Sequence, residues 1–211
     1  MVLDDGTTRL AIVICDACVV GREVFDSAKT LVQRQTGMPP AHMLMAATHS
    51  HAAVRAVHIG RDPQDDAYHE QLSERIAESV VLATANLAPA QIGFASFAKP
   101  QHVRCRRHLC KPGTVSANPF GETGERVKSV AGESSALLRP AGPTDPEVFI
   151  VSLQHADGRP LALLANYSVH YAGGQRRGVV SADYFGYFAV AMARDAQAAD
   201  GKPPFVAMMS N

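Results

Sequence analysis

The chain has 211 residues, 46% hydrophobic and 19% charged, which is enough apolar content to bury a core and excludes a disordered polymer. Its 20 basic and 20 acidic residues cancel, which argues against a nucleic-acid footprint, since that normally needs a basic face. No apolar run reaches the roughly 18 residues of a membrane span, no signal peptide is visible, and 4 cysteines are too few for a disulfide scaffold.

The elements follow in chain order. VLDDGTTRLAIV, from residue 2, has the form of a strand, an Asp-Gly turn and a second strand. RLAIVICDA (9–17) is a continuous Ile/Val-rich run and reads as a buried strand. Over 21–37 the apolar residues Val24, Phe25, Ala28, Leu31 and Val32 recur at helical spacing, and Gly37 stands where a helix stops. Pro39 and Pro40 mark a turn before the strand HMLMAATHS (42–50). A loop with Asp62 and Pro63 leads to an amphipathic helix over 67–87, and QIGFASFA (91–98) alternates like a half-buried strand. Residues 99–145 are rich in Gly, Pro, Ser and basic side chains and read as a long irregular loop, functional or mobile. EVFIVSLQ (147–154), HADGRP and LALLANYSVH (161–170) read as a hairpin. A helix over 182–199 and a strand over 204–210 close the chain.

This order predicts an α/β fold, one domain over 1–211, with a mixed β-sheet and flanking helices. Sites in such folds form at the carboxyl ends of strands. Three predicted strands end on chemically useful residues: Asp16, then His49 and His51, then His170. Two histidines two apart point the same way on extended backbone. Imidazole ligates zinc at about 2.0–2.1 Å and usually leans on an outer acceptor, for which Asp16 is the candidate. Against this stands the plainer reading, in which each histidine merely touches solvent at a strand end.

Other residues carry competing readings. Cys15 and Cys18 form C-x-x-C at a strand-to-helix junction, either a redox pair or, as favoured here, structural thiols. Together with Cys105 and Cys110 they form a weaker candidate for a structural zinc. Arg104, Arg106, Arg107, His108 and Lys111 make a basic run that is either a solvated loop or an anion site. His42, His58, His69, His102 and His155 are taken as surface residues.

MAATHSH (45–51) resembles the Ala-Thr-His-Thr-His segment of the neutral/alkaline non-lysosomal ceramidase family. CDACVVGREVF, KPGTV, AGPTDPEV, NYSVHYAGG and SADYFG (181–186) follow that family's order, so the resemblance runs from about residue 2 to 211. It implies zinc as cofactor, with His49 and His170 as metal ligands, and His51 beside the metal polarising the reacting group. It further implies that Arg106 takes the place of a site arginine, with Cys105 where the family has Asn. The implied activity is hydrolysis of an amide bond, in N-acyl-sphingosine or a related small-molecule or lipid amide, by metal-activated water.

Three departures qualify these expectations, the first being that the family's N-terminal strand with an Ile-Thr-Pro segment is not represented. Ala52, Ala53 and Val54 replace the family's Ser-Gly-Pro, so the pocket differs. The family's remaining ligands, a Glu and a Tyr, and a Gly-Asp motif lie further along than Asn211. The chain therefore reads as a fragment cut at both ends that holds two of four ligands. The alternatives left open are a hydrolase of another ester or amide on the same scaffold and a non-catalytic, inactive binding module. Such proteins are often exported; the compartment and the oligomeric state are not legible in these residues.

Overall fold

The computed structural model describes residues 1–57, 63–129, 134–170, 178–196 and 204–211. His58 and Asp62 lie outside the described residues, as does the end of the NYSVHYAGG motif after His170. The described chain forms two units, one of Met1–Ser96 with Phe149–Asn211 and one of Phe97–Val148.

In the first unit, β1 (Val2–Asp4) turns back antiparallel onto β2 (Arg9–Cys15). Asp5 builds the turn between them, its carboxylate accepting from the amides of Thr7 and Thr8 at 2.9 and 2.7 Å. The next two-residue strand, β3 (Val19–Val20), precedes α1 (Arg22–Thr36). A 3-10 turn over Pro40–His42 leads into β4 (Met43–Ala47), which pairs parallel with β2 in the register Ala11↔Met43 to Cys15↔Ala47. Another short strand, β5 (Arg55–Ala56), pairs parallel with β3, and α2 (Pro63–Ala85) follows.

Periodicity explains the helices. Val24, Ala28 and Val32 form the buried stripe of α1, and His69, Ser73, Ile76, Ala77 and Val80 that of α2. The two stripes close over Val2, Ala11, Val13, Met38 and Met43 as one core. Ser73 ties the helices together by donating its hydroxyl to the Val24 carbonyl at 3.1 Å. His69, read from sequence as a surface residue, is buried because it falls on the inner stripe of α2. Gly37 ends α1 in the left-handed region at φ 75°, its amide bonded to the Gln33 carbonyl at 2.9 Å. A Cβ there meets no atom within 4 Å, so Gly37→Ala tests backbone strain alone. It is expected to cost about 1 kcal/mol, read as a lower urea midpoint with an unchanged slope.

The remaining strands form a sheet of order β12-β11-β10-β6. β6 (Ala90–Ala98) is the edge, β10 (Glu147–His155) and β11 (Pro160–Tyr167) form the predicted hairpin, and β12 (Val206–Ser210) pairs parallel with β11. α3 (Asp183–Asp195) packs on this sheet through Phe185, with Ala165 and Met209 beneath it. β12 also lies against β2. This is the expected α/β fold with mixed sheets and flanking helices. β6 departs from expectation: all nine of its residues are exposed, so neither of its faces is covered by another layer among the described residues. Among the described residues no helix is long and apolar enough to cross a membrane.

The second unit contains β7 (Arg107–Cys110), β8 (Val127–Ser129) and β9 (Leu137–Pro140), a small antiparallel sheet of order β8-β7-β9. These strands lie inside the stretch expected to be irregular. Each has four residues or fewer, too short for a period-two pattern to show.

Candidate metal centre

Parallel pairing sets the frame of the site. β2 and β4 run together up to Cys15↔Ala47, and the same two stretches of chain pair again at Val19↔Arg55. Between these ladders one chain has only residues 16–18, while the other must fit residues 48–54. The surplus bulges outward at the carboxyl end of the sheet and carries His49 and His51. The Thr48 amide donates to the Cys15 carbonyl at 2.9 Å and the Cys18 amide to the Val54 carbonyl at 3.0 Å, which pins the bulge at both ends.

Its polar residues are packed inward. Thr48 and Ser50 are fully buried. The Ser50 hydroxyl donates to the Ser181 carbonyl at 3.1 Å, and the Ser181 amide donates to the Ala52 carbonyl at 2.9 Å. These bonds strap the segment before α3 onto the histidine loop. Ser50→Ala leaves the half-buried Ser181 carbonyl without this donor, so it is expected to cost about 1 kcal/mol, measured by thermal or urea unfolding.

His49 has φ 59° and Asp183 φ 58°, the two non-glycine residues with left-handed backbone among those described. His49 lies in the histidine loop, and Asp183 is joined to that loop through Ser181. The left-handed turn also corrects the sequence argument about the pair. His49 and His51 do not share a face by strand alternation, since β4 ends at Ala47. They meet because the left-handed residue at His49 turns the backbone locally out of its extended path.

Three imidazoles gather here. Ring centroids lie 4.8 Å apart for His49–His51, 5.4 Å for His49–His170 and 5.1 Å for His51–His170. His170 follows β11 and is exposed, as is His51, while His49 is half-buried. His49 Nδ1 lies 2.7 Å from the Cys18 carbonyl. A carbonyl only accepts, so Nδ1 carries the proton and Nε2 presents its lone pair. That Nε2 is 3.2 Å from His51 Nε2. Two nitrogens at about 2.0–2.1 Å from one tetrahedral zinc stand about 3.3 Å apart, so an ion on His49 Nε2 would have His51 Nε2 in or beside its coordination shell. The oriented ring, the pinned tautomer and the nitrogen spacing together fit a divalent metal of zinc's kind.

The acceptor that orients His49 is a backbone carbonyl, where sequence reasoning put the Asp16 carboxylate. Asp16 lies on the same strand-end loop, and burial of its surroundings draws its carboxyl upward. Burial, with Asp16 adding to it, pushes the neighbouring Cys15 thiol up to about 11. That is the reverse of the depressed thiol a redox C-x-x-C requires. All four cysteines are free; Cys15 and Cys18 belong to the first unit, Cys105 and Cys110 to the second. Arg106 lies in the second unit, exposed on the irregular lead-in to β7, and the other cations of its run, Arg104, Arg107 and Lys111, are exposed too.

Sequence reasoning missed Ser50, Ser181 and Asp183. Their signal was a polar residue at the rim of an apolar strand or helix, too common to single out. Asp183 is buried, its amide donating to the Ser181 hydroxyl at 3.0 Å and its Oδ1 accepting from the Tyr184 amide at 2.8 Å.

The fold has solved counterparts. Neutral ceramidase from Pseudomonas aeruginosa superposes with a TM-score of 0.64 at 17% identity, over 97% of this chain and 30% of that one. A ceramidase complexed with C2 superposes with a TM-score of 0.62 at 16% identity, over 99% of this chain and 30% of that one. The chain thus spans about 30% of the length of the structures it matches, and shares the fold of that part. No protein-family model matches the chain, and no curated protein does.

Proposed function

We propose that the chain carries the histidine centre of a zinc-dependent, ceramidase-like hydrolase that cleaves an amide bond in N-acyl-sphingosine or a related lipid amide. The observation that carries this reading is the convergence of His49, His51 and His170 at the carboxyl end of the sheets, with centroids 4.8–5.4 Å apart. The ceramidase fold of the solved counterparts supports it.

In this reading His49, through Nε2, and His170 hold the metal. A bound zinc supplies a Lewis acid and, by lowering the pKa of water to about 7, a nucleophile at neutral pH. His51 is exposed and set edge-on to both other rings, so it donates to the carbonyl oxygen as charge builds there. The Cys18 carbonyl holds His49 in the competent tautomer. The role of Arg106 rests on the family resemblance alone: its planar guanidinium stabilises the oxyanion or clamps an acidic group of the substrate.

Ala52, Ala53 and Val54 favour a second reading of the substrate, a different ester or amide, because they replace a turn that shapes the pocket and leave Val54 exposed. The test is release of free amine from N-acyl-sphingosine, and from short amides and esters, with zinc, with chelator and after zinc is restored. Hydrolysis lost to chelator and regained with zinc is expected. Hydrolysis indifferent to chelator contradicts the proposal; stoichiometric zinc without hydrolysis of any substrate leaves a binding module.

A further inference from the structure

Cys18 has a place at this centre that its C-x-x-C spacing does not suggest. Its carbonyl is the group that orients His49, so its backbone is already fixed against the ring at 2.7 Å. Its amide is fixed too, bonded to the Val54 carbonyl at the far end of the histidine loop. The side chain between these two anchors faces the same space: one donor atom from each of Cys18, His49 and His51 lies within 4.8 Å of the others. In a tetrahedral zinc site with a Zn–S bond of about 2.3 Å, sulfur and nitrogen ligands stand about 3.5 Å apart. The gap left to close is about an ångström, within the reach of a rotation about the Cys18 side chain. The thiol is half-buried and free of any disulfide.

We infer that Cys18 Sγ binds the same cation as His49, so that the centre is a mixed thiolate–imidazole site. The inference rests on the metal-centre reading above and deepens it. Cys18 adds a sulfur donor to the imidazole nitrogens of His49 and His51 at this end of the sheet. As the ion binds, the thiol gives its proton to solvent and the sulfur keeps the electron pair for the metal. A thiolate also sets the class of cation. Zinc, cobalt and cadmium suit it, whereas magnesium, calcium and manganese prefer oxygen donors.

Cobalt titration of the chelator-treated 211-residue chain tests this. The expected result is one equivalent of cobalt, with a near-ultraviolet sulfur-to-cobalt charge-transfer band that saturates along with it. Cys18→Ser is expected to abolish the band and weaken binding by roughly tenfold or more, while Cys15→Ser keeps both. In the wild-type chain, independently of any variant's folding, zinc is expected to slow alkylation of Cys18 and not of Cys105, read by peptide mass. Stoichiometric cobalt without the band, a band that survives in Cys18→Ser, or alkylation of Cys18 unaffected by zinc each overturns the thiolate ligand and leaves the histidine centre standing. Absence of stoichiometric cobalt binding, or binding undiminished in His49→Ala, overturns the metal centre itself.

Discussion

Replacing His49 with alanine is expected to remove stoichiometric zinc binding and to lower metal-dependent hydrolysis by roughly a thousandfold or more. The size follows from what the ion contributes: several kcal/mol of charge stabilisation, at 1.36 kcal/mol per factor of ten. His49 is the residue on which the centre converges. Its Nδ1 is used by the Cys18 carbonyl, its Nε2 stands 3.2 Å from that of His51, and its ring is in contact with His170. Alanine keeps a Cβ at the left-handed position, so the backbone strain stays and a change in folding stability reports the lost bond to the Cys18 carbonyl. Calorimetric zinc titration and a matched unfolding curve separate the two effects. Full zinc affinity in a folded His49→Ala protein contradicts the assignment.

Phe185→Ala is expected to be the most destabilising single change, at about 3–5 kcal/mol. Phe185 is buried at the contact of α3 with Ala165 of β11 and Met209 of β12, and truncation leaves a cavity there. Against a total of about 5–15 kcal/mol this is a large fraction of the whole. The effect reaches the metal centre along a short path. Phe185 seats the start of α3, Ser181 precedes it, and Ser181 straps the loop that bears His49 and His51. Metal affinity is therefore expected to drop even at temperatures where the protein stays folded. Urea unfolding and zinc titration at 10–15 °C below the midpoint, a range of about the size that such a change moves a midpoint, check both parts. A loss under about 1 kcal/mol shows that α3 is held by something other than this contact.

Much of the frame was legible in the sequence, for reasons particular to each element. The Val24–Ala28–Val32 stripe and the Gly37 stop gave α1 with both ends, because one buried face and one left-handed cap determine a helix. β2, β4, the β10–β11 hairpin and β12 were visible as short apolar runs bounded by turns. β3 and β5 were not, since two-residue strands have no period; yet they create the length mismatch that throws His49 and His51 outward. The histidines were legible as residues but not as geometry. Their meeting depends on a left-handed backbone at His49, where sequence statistics expect glycine or asparagine. The surroundings of Cys18 were not legible in its spacing to Cys15, because its neighbours His49 and His51 come from the loop between β4 and β5. Ser181 and Asp183 lay in a recognisable segment, but the bond that gives Ser181 its role spans from residue 50 to residue 181 and leaves no local trace.

The central claim is that one divalent cation sits among these imidazoles, and an anomalous-difference map at the zinc edge, from crystals grown with zinc, tests it most directly. The account predicts a single strong peak about 2.0–2.1 Å from His49 Nε2, with His170 also in its coordination shell. A zinc-saturated crystal with no peak at His49, or with its strong peak elsewhere on the chain, contradicts it.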